Sequence, residues 1–175
     1  MKKVLFLICA AIFSVSASAQ SFWKTDDCDN FNLIQAGFAR ESNPGGNGFF
    51  VGYKHGWNIT GEKLPLYIEP GAELRFESFG ASCYDIGVTV PIDFSYKFKT
   101  GDFSISPITG PTLGYLCNFG DGWSALTKEH CFTLGWDFGA RLAYKKFTLE
   151  YRYNKGLLNS STVWATHQLG IGFLF

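Results

Sequence analysis

Long stretches of the chain alternate between apolar residues and polar or glycine residues at every second position. In residues 84–98, for example, Ile86 and Val88 are apolar, whereas the next residues, Gly87 and Thr89, are not. A period of two is typical of a β-strand with one apolar face and one polar face. The pattern predicts eight strands, over residues 30–41, 49–59, 66–77, 84–98, 103–119, 132–145, 147–154 and 164–175.

The predicted strands and their connections indicate a barrel. Most of the strands are longer than the roughly 5–6 residues of ordinary strands. Short turns at 60–63, 99–102 and 145–146 alternate with longer connections at 42–48, 78–83, 118–131 and 154–163. Long strands in even number with this alternation are typical of barrels that cross a membrane. The sequence therefore predicts an all-β, eight-stranded antiparallel up-and-down transmembrane β-barrel, with both chain ends on the side of the short turns.

The size of such a barrel decides which face points outward. The interior of eight strands is only just wide enough for side chains to fill it. The chain has 18 Phe, 8 Tyr and 5 Trp, too many large residues for that space, and the polar face is rich in glycine. We therefore expect the apolar face to meet lipid; a soluble periplasmic barrel with the faces reversed is the alternative.

Four prolines fall inside the predicted strands. Each removes a backbone donor from the hydrogen-bond ladder, and a closed barrel has no free edge to accommodate it. We therefore expect either bulges at these positions or predicted strands that extend beyond the membrane; the positions are Pro70, Pro91, Pro107 and Pro111.

The N-terminus has the features of a secretory leader. Two lysines precede an apolar stretch over residues 4–15, and small residues follow up to Ala19. The apolar stretch is too short to cross a bilayer as a helix, and no later stretch reaches the ~18 apolar residues that a membrane helix needs. We expect residues 1–19 to be a signal peptide and residues 20–175 to form a single barrel domain.

The last strand carries a further pattern. Large apolar residues occupy every second position up to the final residue, at Leu169, Ile171, Phe173 and Phe175. This ending resembles the C-terminal strand by which the barrel-assembly machinery recognises bacterial outer-membrane proteins. With the leader and the eight alternating segments, the whole mature chain resembles the small OmpX/OmpA-type outer-membrane barrels. The resemblance implies an integral outer-membrane location with both termini in the periplasm.

The resemblance leaves the function open, because such barrels include adhesins, structural proteins, narrow channels and a few lipid-modifying enzymes. We expect a non-enzymatic, monomeric barrel with a structural or surface-interaction role and no metal or cofactor. Its expected partners are outer-membrane lipids, the assembly machinery and an extracellular ligand bound by the loops. A net charge of zero gives no sign of nucleic-acid binding. The alternatives are a lipid-modifying esterase and a narrow small-solute pore.

Charged residues of both signs lie on the predicted inner face. If they pair across adjacent strands, they satisfy one another and plug the lumen; a ring of one sign left unpaired would indicate a pore. The residues expected in this network are Glu69, Glu73, Arg75, Asp93, Asp137, Arg141, Glu150 and Arg152.

Cysteines and histidines are the remaining candidates for chemistry. Cys117 and Cys131 flank the longest connection, and we expect them to form a disulfide in an oxidising compartment. His167 is predicted to face lipid near the outer leaflet. Eight-stranded lipid A deacylases place a catalytic histidine there, but they carry serine two residues later, where this chain has Leu169. His55 is expected to face lipid near the middle of the bilayer, in a contact rather than in catalysis.

Overall fold

The computed structural model describes residues 28–42, 45–61, 63–78, 84–119, 132–157 and 165–175. None of these residues belongs to a helix long and apolar enough to cross a membrane. The described residues form the strands β1 (Phe31–Glu41), β2 (Asn47–Asn58), β3 (Leu66–Ser78), β4 (Tyr84–Tyr96), β5 (Phe98–Thr100), β6 (Phe103–Phe119), β7 (Phe132–Tyr144), β8 (Phe147–Gly156) and β9 (Ala165–Leu174).

The strands close into a barrel because the first pairs with the last. Each strand lies antiparallel to its neighbours, β9 pairs with β1, and β4 pairs with β6. The strands β4 and β5 are one strand interrupted at Lys97. Both keep the same register on β6, where Ser95 faces Ile108 and Phe98 faces Ile105. The predicted eight-stranded antiparallel barrel is confirmed.

The bounds of the strands agree with the alternation to within two residues, apart from the break at Lys97. At that break the Lys97 amide donates to the Pro65 carbonyl at 2.9 Å, which continues the register of the β3–β4 pair. We call the end of the barrel that holds Phe31 and Leu174 the terminal end, and the opposite end, where β1, β3, β6 and β8 finish, the loop end.

The prolines do not mark bulges. Pro107 and Pro111 face Ala140 and Trp136 in the continuous β6–β7 ladder, and on the other side of β6 the pairing with β4 and β5 skips both prolines but keeps its register. The other alternative, that the predicted strands extend beyond the membrane, stays an expectation. Beside Pro70 the β3–β4 ladder has a gap, but the register on its two sides is the same. Because extended backbone accommodates the φ angle of proline, each ring costs a donor without shifting the strand.

The faces of the barrel are as expected. Apolar side chains point outward, with Ile171 68% exposed, whereas charged side chains such as Glu69 (0% exposed) point into the lumen. Glycines on the inner face make room for this filling: a Cβ on Gly139 would lie 2.9 Å from Arg152 Cγ, and one on Gly52 would lie 2.6 Å from Glu73 Cγ. The inverted, soluble arrangement is therefore excluded.

Candidate functional site: the charged lumen

All eight residues predicted for the inner network are buried inside the barrel. None is more than 9% exposed. They come from four strands, β3, β4, β7 and β8, which the alternation places on one continuous inner surface. Six of them form a connected group in the middle of the lumen, Asp93 joins this group through Lys54 on β2, and Arg75 lies apart toward the loop end.

Arg141 on β7 joins opposite walls of the lumen. Its Nη2 donates to Glu69 Oε2 at 2.6 Å and its Nη1 donates to Glu69 Oε1 at 3.1 Å. Its Nε donates to Glu150 Oε2 at 2.7 Å. Glu150 lies on the neighbouring strand β8, but Glu69 lies on β3, beyond β6 and β4. The expectation that pairing runs across adjacent strands is thus only partly right, since the forked guanidinium spans the lumen.

Arg152 on β8 holds three carboxylates. Its Nε donates to Glu150 Oε1 at 2.9 Å, its Nη2 donates to Glu73, and its Nη1 lies 3.6 Å from Asp137 Oδ2. Asn154 Nδ2 donates to Asp137 Oδ1 at 2.7 Å. The Arg152 side chain is 2% exposed, so these contacts replace its hydration.

Lys54 on β2 is a central member of the network that the sequence-based prediction left out. Its Nζ donates to Asp93 Oδ2 at 2.7 Å and to Glu150 Oε1 at 2.8 Å, and its side chain is fully buried. The signal was available, because Lys54 occupies a polar position of the second alternating segment. With Lys54, the carboxylate of Glu150 contacts three cationic side chains.

A smaller group lies at the loop end. Arg75 contacts Glu77 on its own strand, and its Nη2 lies 3.3 Å from Thr166 Oγ1. Glu41 and Asp85 are also buried at this end. One carboxylate oxygen of Glu41 and one of Glu77 have no hydrogen-bond partner. Over the whole described lumen, eight carboxylates and four basic side chains are buried, so acidic groups are in excess.

Aromatic rings close the spaces that the ion pairs leave. The guanidinium carbon of Arg141 lies 5.6 Å from the ring centre of Phe31, and that of Arg152 lies 5.8 Å from the ring centre of Phe50. Near Arg141 and Lys97, the terminal end of the lumen holds a cavity of about 10 Å³. This volume is enough for about one water molecule. The central network and its rings therefore lie across the middle of the lumen.

The predicted disulfide is not seen. Cys117 carries a free, exposed thiol on the outer face of β6, and Cys131 lies outside the described residues. The pairing of these two cysteines stays a prediction. Within the described ranges, no group of three His, Cys, Asp or Glu side chains has the arrangement of a metal site.

The two described histidines lie on the outer face. His167 on β9 is near the loop end, and its Nδ1 is 2.7 Å from the Tyr151 hydroxyl. His55 is not near the middle of the strand as expected. It lies toward the terminal end, with its Nδ1 2.7 Å from Asn32 Oδ1 and its ring 4.8 Å from the ring of Trp57.

The C-terminal strand closes the barrel. The four predicted assembly-signal residues all have exposed side chains on its outer face, namely Leu169, Ile171, Phe173 and Phe175. Beyond β9, the Phe175 amide donates to the Asn32 carbonyl at 3.0 Å, and the Asn32 amide donates back to the Phe175 carbonyl at 3.0 Å. The last residue thus belongs to the seam where the two ends of the sheet meet.

Comparison with known proteins shows a likeness in fold. No family model and no curated protein sequence matches the chain. Among solved structures, the outer membrane enzyme PagL has a TM-score of 0.65 at 12% identity, over 81% of this chain and 98% of PagL. Neisserial surface protein A (NspA) has a TM-score of 0.58 at 15% identity, over 83% of this chain and 95% of NspA.

The N-terminal β-barrel domain of Pseudomonas aeruginosa OprF is similar as well. Its TM-score is 0.52 at 17% identity, over 83% of this chain and 97% of that domain. These three structures confirm the resemblance to small outer-membrane barrels, and at such identities they show the fold alone.

Proposed function

We propose that this chain is a non-enzymatic integral protein of the bacterial outer membrane, with a structural or surface-interaction role and a plugged lumen. The observation that carries the proposal is the ion network across the lumen, in which Arg141 joins Glu69 to Glu150. Buried charges that form ion pairs across a narrow barrel favour a closed support for the loops over a conduit.

The outer surface supports the membrane location. A contiguous belt of exposed Phe, Tyr, Trp, Leu, Ile and Val side chains surrounds the barrel, with residues such as Phe147 69% and Leu74 57% exposed. A soluble monomer rarely exposes an apolar patch of this extent. Outer-membrane lipids are thus the proposed partners of this surface.

The connections at the two ends of the barrel differ in length, and this difference supports an orientation of the barrel in the membrane. The connections at the loop end include residues 120–131, whereas two connections at the terminal end are the two-residue turns 101–102 and 145–146. Short turns are typical of the periplasmic side. We therefore place both termini in the periplasm, with residues 1–19 removed as a signal peptide, and assign binding of an extracellular ligand to the loops of the monomer.

Cell fractionation tests both the location and the assembly signal. The wild-type protein is expected in the outer membrane, in a folded form that shifts on gels after heating. Phe175→Ala should lower the amount of this form without altering export, because it removes the terminal aromatic side chain but keeps the backbone seam with Asn32. Phe138→Ala, which removes an exposed aromatic ring in the middle of β7, is the control. Equal outer-membrane levels of wild type and Phe175→Ala would refute the assembly signal.

A lipid-modifying esterase is the second candidate, and His167 favours it. The Tyr151 hydroxyl lies 2.7 Å from Nδ1 of this outward-facing histidine. Ser42 directly follows β1, the neighbour of β9, and its amide donates to the Ala165 carbonyl at 2.8 Å. No hydrogen bond joins Ser42 to His167, and no carboxylate orients the imidazole among the described residues, so the relay that an esterase needs is incomplete. Fatty-acid release from lipid A by the wild type, abolished in both His167→Ala and Ser42→Ala, would favour the enzyme.

A further inference from the structure

The outer face of the barrel is almost free of charge, and its exceptions lie together. Among the outward-facing strand positions that the structure describes, none is Asp or Glu, and only Arg40 and Lys155 are Lys or Arg. Both are at the loop end, on β1 and β8, which are the two neighbours of β9.

The strand register brings these residues next to His167. Arg40 is directly opposite His167 across the β1–β9 pair, and Lys155 is opposite Ala165, two residues from His167, across the β8–β9 pair. Neighbouring strands are about 4.8 Å apart, so roughly 10 Å separates the backbones of β1 and β8. Arg40 and Lys155 therefore flank the loop end of β9 on the outer face. We call Arg40, Lys155 and His167 the loop-end basic patch.

Among the residues that the structure describes, the two cationic side chains of the loop-end basic patch have no anionic partner. Within the described part of the chain, neither Arg40 nor Lys155 forms an ion pair or a side-chain hydrogen bond. The charges of the lumen, in contrast, are paired, as Arg141 and Arg152 show. Exposed cations beside an apolar belt are stabilised by an anion from outside the chain.

The depth of the loop-end basic patch matches a lipid headgroup. At ~3.3 Å per residue and a strand tilt of about 40°, the stretch of β8 from Phe147 to Lys155 rises by about 20 Å along the barrel axis. The apolar belt of such barrels is about 25 Å tall. Aromatic residues adjoin the patch: Tyr153 is opposite His167, with the two rings 5.0 Å apart, and Tyr151, two residues nearer the terminal end, bonds to His167. Such rings are typical of the membrane interface.

We propose that the loop-end basic patch binds the phosphate group of a phosphorylated lipid in the outer leaflet, of the lipid A class. The Arg40 guanidinium is suited to grip two phosphate oxygens, Lys155 supplies a second charge, and the tyrosines pack against the lipid below. The inference rests on the proposed outer-membrane location. It predicts that the outer face around β9 keeps a bound lipid, whereas the uncharged rest of the outer face does not.

Binding of fluorescently labelled lipid A to the full chain, purified in a zwitterionic detergent, tests the proposal. Arg40→Gln with Lys155→Gln should weaken binding about 25-fold, since each basic residue near an anionic surface contributes about fivefold. The matched control is Lys63→Gln with Lys146→Gln, which removes the same charge at the terminal end and should change affinity less than about twofold. Removing the phosphates from lipid A should abolish the difference between wild type and the patch variant.

Equal binding of lipid A to wild type and patch variant would overturn the proposal, as would full binding of the dephosphorylated lipid. Displacement of lipid A by millimolar inorganic phosphate would contradict a lipid-specific site. Heat-shifted mobility confirms that each variant is folded. Fractionation separates this proposal from the proposed function: an outer-membrane wild type whose patch variant binds equally well refutes the lipid site alone, whereas a wild type absent from that membrane refutes the location.

Discussion

Replacing Arg152 with alanine is expected to lower the free energy of unfolding of the barrel by about 3–5 kcal/mol. The guanidinium contacts Glu73, Glu150 and Asp137, and its removal leaves three carboxylates close together in a space with little water. Breaking a buried ion pair is costly because the remaining charge keeps its desolvation penalty and loses its partner. Denaturant unfolding of the barrel in lipid vesicles, followed by tryptophan fluorescence, measures the change.

Two variants make this result interpretable. Lys145→Ala breaks an ion pair with Asp102 whose side chains are 61% and 63% exposed, and it should cost less than about 1 kcal/mol. Arg152→Lys keeps the positive charge but lacks the forked guanidinium group, so its free energy of unfolding should lie between those of the wild type and Arg152→Ala. If Arg152→Ala is as stable as Lys145→Ala, water hydrates the carboxylates and the lumen is not plugged by its ion pairs.

Introducing arginine at Val88 is expected to destabilise the barrel in bilayers by about 2–4 kcal/mol. Val88 is on the outer face of β4 between Leu74 and Tyr115, where its side chain is 45% exposed. In a membrane, that exposed surface meets hydrocarbon, so a charged side chain there must either lose hydration or draw water inward. The same unfolding assay in vesicles measures the difference.

Thr100→Arg is the matched control for Val88→Arg. Thr100 is exposed at the terminal end of β5, and arginine there should cost only about 0–1 kcal/mol because its charge reaches the interface. Equal stability of the two arginine variants in bilayers would mean that β4 does not face hydrocarbon, which would refute the membrane-spanning proposal.

The fold could be read from the sequence because a strand with one lipid-facing side imposes a strict period of two. The predicted bounds of 103–119 are those of β6, even though Pro107 and Pro111 lie inside it. The effect of the prolines was misjudged, since a lost donor was equated with a shift in register. The break at Lys97 was also missed, because one interrupted position leaves the alternation on either side unchanged.

The sequence could predict which charges face inward, but it could not predict their partners. Arg141 was expected to pair with a neighbouring strand, and its contact with Glu69 on the opposite wall depends on how the closed barrel staggers its strands. The loop-end basic patch was missed for a similar reason. Arg40 and Lys155 are far apart along the chain and become neighbours only when β9 inserts between β1 and β8.

Single-channel recording in planar bilayers tests the central claim, a lumen closed by cross-barrel ion pairs, most directly. The wild-type barrel is expected to show no steady conductance steps, because the Arg141 and Arg152 contacts and the rings of Phe31 and Phe50 fill its middle. Steady currents through the wild type, selective for cations as the excess of buried carboxylates would require, together with unchanged stability of Arg152→Ala, would contradict the account.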